Sequence, residues 1–371
     1  MFVQFKKFVA CSILLLSSGS IILAKPEVVQ ELEGFFKPTV AVYSPDHSSL
    51  LVANFARSEV GAIKEGSYVS KYKVESDGKL SLSSKRFLES LTAPNDIAFN
   101  PVSYGSVPAG SIFVAVGTPL VESNEGRLVK DPSREHIGLA VFDGNNGRVI
   151  NSIELGPSST NPLREGMPLI SPTSLTFDKA GNLYISDSGI GGNLFPSKVR
   201  GRPGVWRINR EGVRKFLRGE SPDEAKFVPI SSMPGPMRYV DKEDSIYIIA
   251  NHNVGLPQGA VYKVVCSEFE AKGLSSVQTI VRDLSPLSGI QVSPRGRILL
   301  TTNKGDLVFP KGRKNYGIIR VYPRVRFSSP GNFAMMEKSD GHLLLAIPEI
   351  TGDDGENDTQ TMKVVLLDDR Y

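Results

Sequence analysis

The chain has 371 residues, with 43 Lys and Arg against 39 Asp and Glu and a formal charge of +4. That near-balance excludes the strongly basic composition of a nucleic-acid-binding protein. Two cysteines exclude a disulfide-stapled scaffold.

The first 24 residues read as a signal peptide. Lys6 and Lys7 give a positive start, Phe8 to Ala24 is apolar or small, and Ile22-Leu23-Ala24 supplies a small-residue exit. Ser17-Ser18-Gly19-Ser20 interrupts the run, which argues against a transmembrane anchor of about 20 strongly apolar residues. Cys11 precedes most of the apolar run, the wrong order for a lipoprotein. Removing the segment takes two lysines and no acid, so the charge falls from +4 to +2 over 347 residues. The expected mature protein, residues 25–371, is a single exported domain, secreted or periplasmic, with no anchor left. Cys266 is its lone cysteine and, in the strand-like run Val261 to Cys266, reads as a small buried hydrophobe.

Helical periodicity is scarce. Only Pro26 to Phe36 has room for an amphipathic turn, with Val28, Leu32 and Phe35 on one side. Beyond it, pairs of short apolar strands joined by tight turns recur. The first joins Val40–Tyr43 to Leu51–Asn54, and the second joins Asp96–Phe99 to Ile112–Val116. The third, Ser174–Phe177 to Leu183–Ser186, turns at Gly181-Asn182, residues that tolerate positive φ. The others are Met237–Val240 to Ile246–Ile249, Gly289–Val292 to Ile298–Leu300, and Phe333–Met336 to Leu343–Ala346. Most precede a second hairpin, as in Gly204–Ile208 and Val213–Leu217 around Glu211-Gly212. Four strands in each of six units predict an all-β, six-bladed β-propeller. After Ile347 the last unit offers only Met362–Leu367, so Glu27–Glu33 is the expected donor of its missing strand, closing the ring without free edges.

Long connections are expected on one face, at Thr118–Arg134, Ser188–Pro203, Gly219–Met233, Asn253–Gln258, Lys304–Tyr316 and Thr351–Thr361. Long loops on a rigid scaffold are where binding concentrates. The inner hairpins end there on Asn54, Gly117, Asp187, Asn251 with His252, Asn303 and Glu349. Amides, acids and an imidazole suit a hydrated cation or a polar small molecule, although the same residue types commonly bond nearby backbone. Lys198, Arg200 and Arg202 in one loop, and Lys311, Arg313 and Lys314 in another, are expected to form a basic rim for an anionic ligand or partner protein. The serine-hydrolase elbow, the zinc-protease motif and the P-loop are absent. The run Asp353 to Asp358 lacks EF-hand spacing and reads as a solvated acidic loop.

Ser171-Pro172-Thr173-Ser174-Leu175-Thr176-Phe177, continuing through Gly181 to Gly189, resembles an NHL-type repeat and a blade of the regucalcin/gluconolactonase propellers. Ala93-Pro94-Asn95-Asp96 with Val114 to Thr118 is similar to another blade of that family. The resemblance implies a divalent cation such as calcium at the axis, held by a glutamate, two asparagines and an aspartate, that polarises a lactone for attack by water. Asn95 matches the first asparagine. Phe36-Lys37 stands where the glutamate belongs, Thr173 at the second asparagine and Gly235 at the aspartate. A calcium cage depends on carboxylate charge, so a metal site would need Asp187 or Glu349 beside Asn95. Two functions follow: a non-catalytic binding propeller with no firm cofactor, or a metal-dependent hydrolase of lactones or related esters. A quinone-dependent dehydrogenase is disfavoured, because such propellers lean on repeated tryptophans and this chain has only Trp206.

Overall fold

A computed structural model describes residues 26–369, apart from 56, 60–61, 118–119, 123–127, 131–135, 161–162, 164–166, 191–200, 223–224, 252–257, 270–276, 322–325 and 351–359. The leader, Lys198, Arg200, His252 and the acidic run lie outside the described residues.

The first strand, β1 (Glu27–Phe35), belongs to the last blade. Blade 1 contains β2 (Pro38–Tyr43) and β3 (Ser49–Asn54). A small hairpin follows, β4 (Arg57–Glu59) and β5 (Ala62–Glu65), and then β6 (Ser67–Val74) and β7 (Leu80–Leu91) complete the blade. Blade 2 opens with β8 (Pro94–Phe99) and β9 (Ile112–Val116). The hairpin β10 (Leu120–Glu122) and β11 (Leu128–Lys130) intervenes before β12 (Gly138–Phe142) and β13 (Val149–Glu154). Blade 3 is β14 (Pro172–Phe177), β15 (Leu183–Asp187), β16 (Gly204–Ile208) and, after helix α1 (Arg210–Leu217), β17 (Lys226–Pro229). Blade 4 is β18 (Met233–Val240), β19 (Ser245–Asn251), β20 (Gly259–Val265) and β21 (Val277–Leu284). Blade 5 is β22 (Leu287–Val292), β23 (Ile298–Thr302), β24 (Leu307–Gly312) and β25 (Asn315–Ile319). Blade 6 is β26 (Ala334–Glu337), β27 (His342–Pro348) and β28 (Gln360–Asp368), completed by β1. Each blade is a four-stranded antiparallel sheet, and six of them make the propeller.

Ring closure follows the sequence reading. Glu27 pairs with Leu366, Glu31 with Lys363 and Phe35 with Gln360. Gln30 also exchanges two hydrogen bonds with the backbone of Leu80 in blade 1, at 2.8 and 2.9 Å. The segment is therefore a strand and not a helical turn.

Burial follows position in the blade. Strands β3, β9, β12, β15 and β23 are buried at every residue, whereas on the rim β7 is mostly exposed and β13 is exposed at half of its residues. An inner strand has a neighbouring blade on each side and must be apolar on both faces; an outer strand needs only one. Apolar clusters fill the gaps between blades. Phe113 and Leu139 meet Leu175 and Trp206 between blades 2 and 3, and Ala41 and Leu50 meet Leu344 and Val364 between blades 6 and 1.

The structure corrects three readings of the connections. Val213–Leu217 is not a strand but the end of α1: Asn209 caps it, its Oδ1 accepting from Gly212 N at 2.7 Å, and Val213 and Phe216 pack into the gap between blades 2 and 3. Lys304–Tyr316 is not a long loop, because β24 and part of β25 occupy it, and Gly219–Met233 contains β17. Short apolar runs do not distinguish helix from strand, and here the cap decides.

Candidate binding site on the propeller axis

The antiparallel order fixes two faces. Connections from second to third strand, and from blade to blade, share the upper face; the two remaining turns of each blade share the lower one. At the upper end of the innermost strands one structural device repeats. In blades 1 to 5 that strand begins with Pro38, Pro94, Pro172, Met233-Pro234 or Leu287, and its pairing register then slips. Proline has no N–H for the ladder, and a bulge re-aims the residues it frees.

The freed residues are Thr39, Asn95, Thr173, Gly235-Pro236 and Ser288, and all of them line a cavity of about 470 Å³ on the axis. Blade 6 adds Gly331 and Asn332, and Val40, Ser171, Asn303, Ser329, Pro330 and Ile350 complete the wall. Gly331 is required by close approach: a Cβ there would lie 2.4 Å from Thr39 O. The same side chains stitch neighbouring blades together. Thr39 Oγ1 donates to Pro94 O at 3.4 Å, Asn95 Nδ2 to Pro172 O at 2.6 Å, and Thr173 Oγ1 to Pro234 O at 2.8 Å. Thr39 spends its single proton on that bond and Asn95 keeps Oδ1 as an acceptor. The wall is rich in neutral oxygen acceptors and contains no carboxylate among the described residues.

Beneath this wall a charged layer crosses the channel. Asp96, fully buried, lies 3.7 Å from Nη1 of Arg238 in blade 4. Ser174 Oγ donates a short hydrogen bond to Asp96 Oδ2 while accepting from Met237 N at 3.0 Å. Ile97 N donates to Oδ1 at 2.9 Å, and Asn332 Nδ2 approaches it at 3.5 Å. Burial pushes the Asp96 carboxyl above its ordinary range, opposed first by Arg238 and then by Ser174. Arg238 Nη2 and Asn332 Oδ1 are buried without a protein partner. Asn332 also lines the cavity, and its Oδ1 is buried behind that wall.

The residues expected at the site divide sharply. Asn95 and Asn303 line the cavity. Asn54, Asn251, Asp187 and Glu349 are pins for the connections beside them. Asn54 Oδ1 accepts from Phe36 N at 3.1 Å, and Asn251 pairs with both backbone groups of Leu287 at 2.8 and 2.9 Å. Asp187 accepts from the amides of Ile170, Ser171 and Gly189 at 2.8–2.9 Å. Glu349 lies 2.6 Å from Lys363 Nζ and accepts from Ser328 N and Thr361 Oγ1 at 2.8 and 2.7 Å. The carboxylates of Asp187 and Glu349 are thus occupied as anchors of these connections. No group of three or more metal-ligating side chains forms among the described residues. The basic rim also separates: Arg202 follows β15 on the upper face, whereas Lys311, Arg313 and Lys314 lie at the β24–β25 turn on the lower one.

Asp96, Ser174, Arg238 and Asn332 were missed. The available signal was the repeated opening of the inner strands: Pro38-Thr39-Val40, Pro94-Asn95-Asp96, Pro172-Thr173-Ser174, Pro234-Gly235-Pro236 and Pro330-Gly331-Asn332. A separate cluster stands on the rim of blade 2, where Ser152 Oγ lies 3.0 Å from His136 Nε2 and His136 Nδ1 lies 2.6 Å from Glu154. Its spacing resembles that of an activated serine, but the Ser152 amide is already given to Asn151 Oδ1 at 2.7 Å and is lost to an oxyanion hole.

No family profile and no curated protein matches the sequence. Solved structures do match in fold. An α-L-arabinofuranosidase of Fusarium graminearum superposes with a TM-score of 0.57 at 12% identity, covering 91% of this chain and 98% of its own. A protein of unknown function from Dyadobacter fermentans gives 0.56 at 9% identity, covering 93% and 100%. A gluconolactonase of Xanthomonas campestris gives 0.52 at 11% identity, covering 93% and 96%. The chain therefore has the six-bladed propeller fold that gluconolactonase-type proteins share, as its NHL-like and gluconolactonase-like segments suggest.

Proposed function

We propose that this protein is an exported, non-catalytic binding propeller whose axial cavity takes a small, uncharged molecule rich in hydrogen-bond donors, such as a sugar or its lactone. The observation that carries this reading is the wall itself. A bulged position in each of blades 1 to 5 faces the axis, and Thr39, Asn95, Thr173 and Ser288 among them present hydroxyl and amide oxygens without net charge, with Asn332 of blade 6 beside them. Hydroxyl donors of a polyol match such acceptors, and a cavity of about 470 Å³ is within the usual range for small-molecule sites.

The second reading, a metal-dependent lactone or ester hydrolase, draws on one observation: Asn95, Thr173 and Gly235, matched by motif to the family's cation ligands, share this cavity. Those residues supply a single amide, a hydroxyl and no side chain. Calcium sites rely on carboxylates, and the nearest one, Asp96, is buried and committed to Arg238 and Ser174.

Thermal shift with glucose, arabinose and glucono-lactone, with and without calcium, separates the readings. Binding predicts stabilisation by at least one of these compounds, about 2.7 kcal/mol at a hundredfold excess over its dissociation constant. That gain should be unaffected by chelation and reduced in Asn95→Ala and Asn332→Ala, with no lactone opening above background. Stabilisation by none of them sinks the binding proposal. Calcium-dependent stabilisation with lactone opening, both lost in Asn95→Ala, hands the site to the hydrolase.

A further inference from the structure

One stretch of the chain is basic and free of acids. Residues 307–336 contain Lys311, Arg313, Lys314, Arg320, Arg324 and Arg326 and no Asp or Glu. The whole chain carries +4, so a segment of +6 leaves −2 for everything outside it. Residues 307–319 of this segment, β24 and β25, form the outer half of blade 5. Its tip, between β24 and β25, exposes Lys311, Arg313 and Lys314, and Arg320 is exposed just beyond the far end of β25. None of these four makes an ion pair among the described residues, whereas Arg326 approaches Asp306 at 3.9 Å. Arg282 of blade 4 borders the tip, its N–H donating to Arg313 O at 3.1 Å.

The strand between these cations is apolar where it meets solvent. In β25, Gly317 and Ile319 face inward, while Tyr316 and Ile318, two residues apart on the outward face, are 43% and 51% exposed. Gly317 seats the strand closely on Phe309 of β24, since a Cβ there would lie 2.5 Å from that ring. Strand β25 is the edge of its sheet, paired only with β24. An exposed aromatic and an exposed aliphatic side chain between the three cations of the tip and Arg320 match the layered chemistry of an anionic bilayer surface. Lys and Arg meet phosphate headgroups there, and Tyr and Ile reach the boundary with the acyl chains. A soluble polyanion would use the cations and leave Ile318 unexplained.

We infer that the outer edge of blade 5 docks the protein peripherally on a membrane surface containing anionic phospholipid. The contact is electrostatic at long range and apolar at short range. It lies on the side of the disc, so the axial cavity stays open to solvent while the protein is bound.

Co-sedimentation of the full chain with phosphatidylglycerol-containing vesicles, and with pure phosphatidylcholine vesicles, tests this. Binding is expected only to the anionic vesicles, and it should fall steeply with added salt. The triple variant Lys311→Glu, Arg313→Glu, Lys314→Glu should bind roughly 100-fold more weakly. The double variant Tyr316→Ser, Ile318→Ser should bind roughly tenfold more weakly and keep its salt dependence. All five positions are exposed, so melting temperatures should stay close to that of the parent. Tyr316→Trp gives a readout independent of those variants: Trp206, the chain's only tryptophan, is buried, so a blue shift on adding anionic vesicles reports the new side chain entering the interface. The inference is overturned if the anionic vesicles do not sediment the protein, or if the triple variant binds like the parent. It is equally overturned if heparin is bound while Tyr316→Trp emission is unmoved by vesicles, which would assign the ridge to a polyanion.

Discussion

Replacing Arg238 by methionine tests the charged layer beneath the cavity. The substitution keeps a long apolar stem but removes the only cation, among the described residues, that pairs with Asp96, whose carboxyl is fully buried with Arg238 Nη1 3.7 Å away. Breaking a buried pair by deleting one partner costs about 3–5 kcal/mol, because the other charge is left without compensation. For a chain of this size roughly 2 °C of melting temperature follows each kcal/mol, so a drop of about 6–10 °C is expected near neutral pH. Burial already raises the Asp96 pKa, and Arg238 is the strongest influence opposing the rise. An acid with a raised pKa holds its proton to higher pH in the folded state than in the unfolded one. Its ionisation therefore lowers stability as pH rises through the folded pKa, and acid restores what was lost. Without Arg238 the rise is larger, so Arg238→Met should regain stability on acidification more than the parent does. Adding Asp96→Asn removes the titrating group, and the double variant should recover most of the loss and show no such gain in acid. Urea denaturation across the acid-to-neutral range, on parent, both single variants and the double, completes the cycle. A loss below about 1 kcal/mol in Arg238→Met, or an acid gain that survives Asp96→Asn, would refute this account of the axis.

Two further outcomes follow from the structure. Deleting residues 26–35 removes β1 from its pairing with β28 and exposes that edge, so the protein should aggregate or form higher oligomers in size-exclusion chromatography; an unchanged monomer with an unchanged melting temperature would contradict ring closure. Glu349→Ala leaves Lys363 without its partner 2.6 Å away and removes acceptors from Ser328 and Thr361, so it should destabilise by about 3 kcal/mol. Titration calorimetry of a bound sugar should be unaffected by it, whereas a change in calcium affinity would make Glu349 a metal ligand after all.

Several features were legible because their signals are local. Alternating apolar runs around turns such as Asp178 to Asn182, where Gly181 does adopt φ +85°, identified every inner hairpin. Repetition of that unit with an incomplete last copy was enough to predict six blades and a strand lent by residues 27–33. Position 95 could be marked because its Pro94-Asn95-Asp96 context is a contiguous motif. The helix at Arg210–Leu217 escaped because eight residues with Val213 and Phe216 buried fit either period, and only the hydrogen bond from Gly212 N to Asn209 separates them.

The chain order of polar residues could not show which way they face. Asn54, Asp187, Asn251 and Glu349 end inner strands as expected, but a loop that folds back over a strand end presents bare amides, and these side chains satisfy them. The wall of the cavity is instead set by bulges that turn Thr39, Asn95, Thr173 and Ser288 toward the axis. Asp96 and Arg238 stand 142 positions apart in sequence and come within 3.7 Å only because the innermost strands of blades 2 and 4 flank that of blade 3 at the axis of a closed ring. Sequence alone determined the repeating unit, its number and its closure, since those depend on side-chain periodicity within a few residues. Which oxygens line the axis and which charges meet beneath it was decided by the tertiary structure, because only the closed ring brings one residue from each blade to a common point.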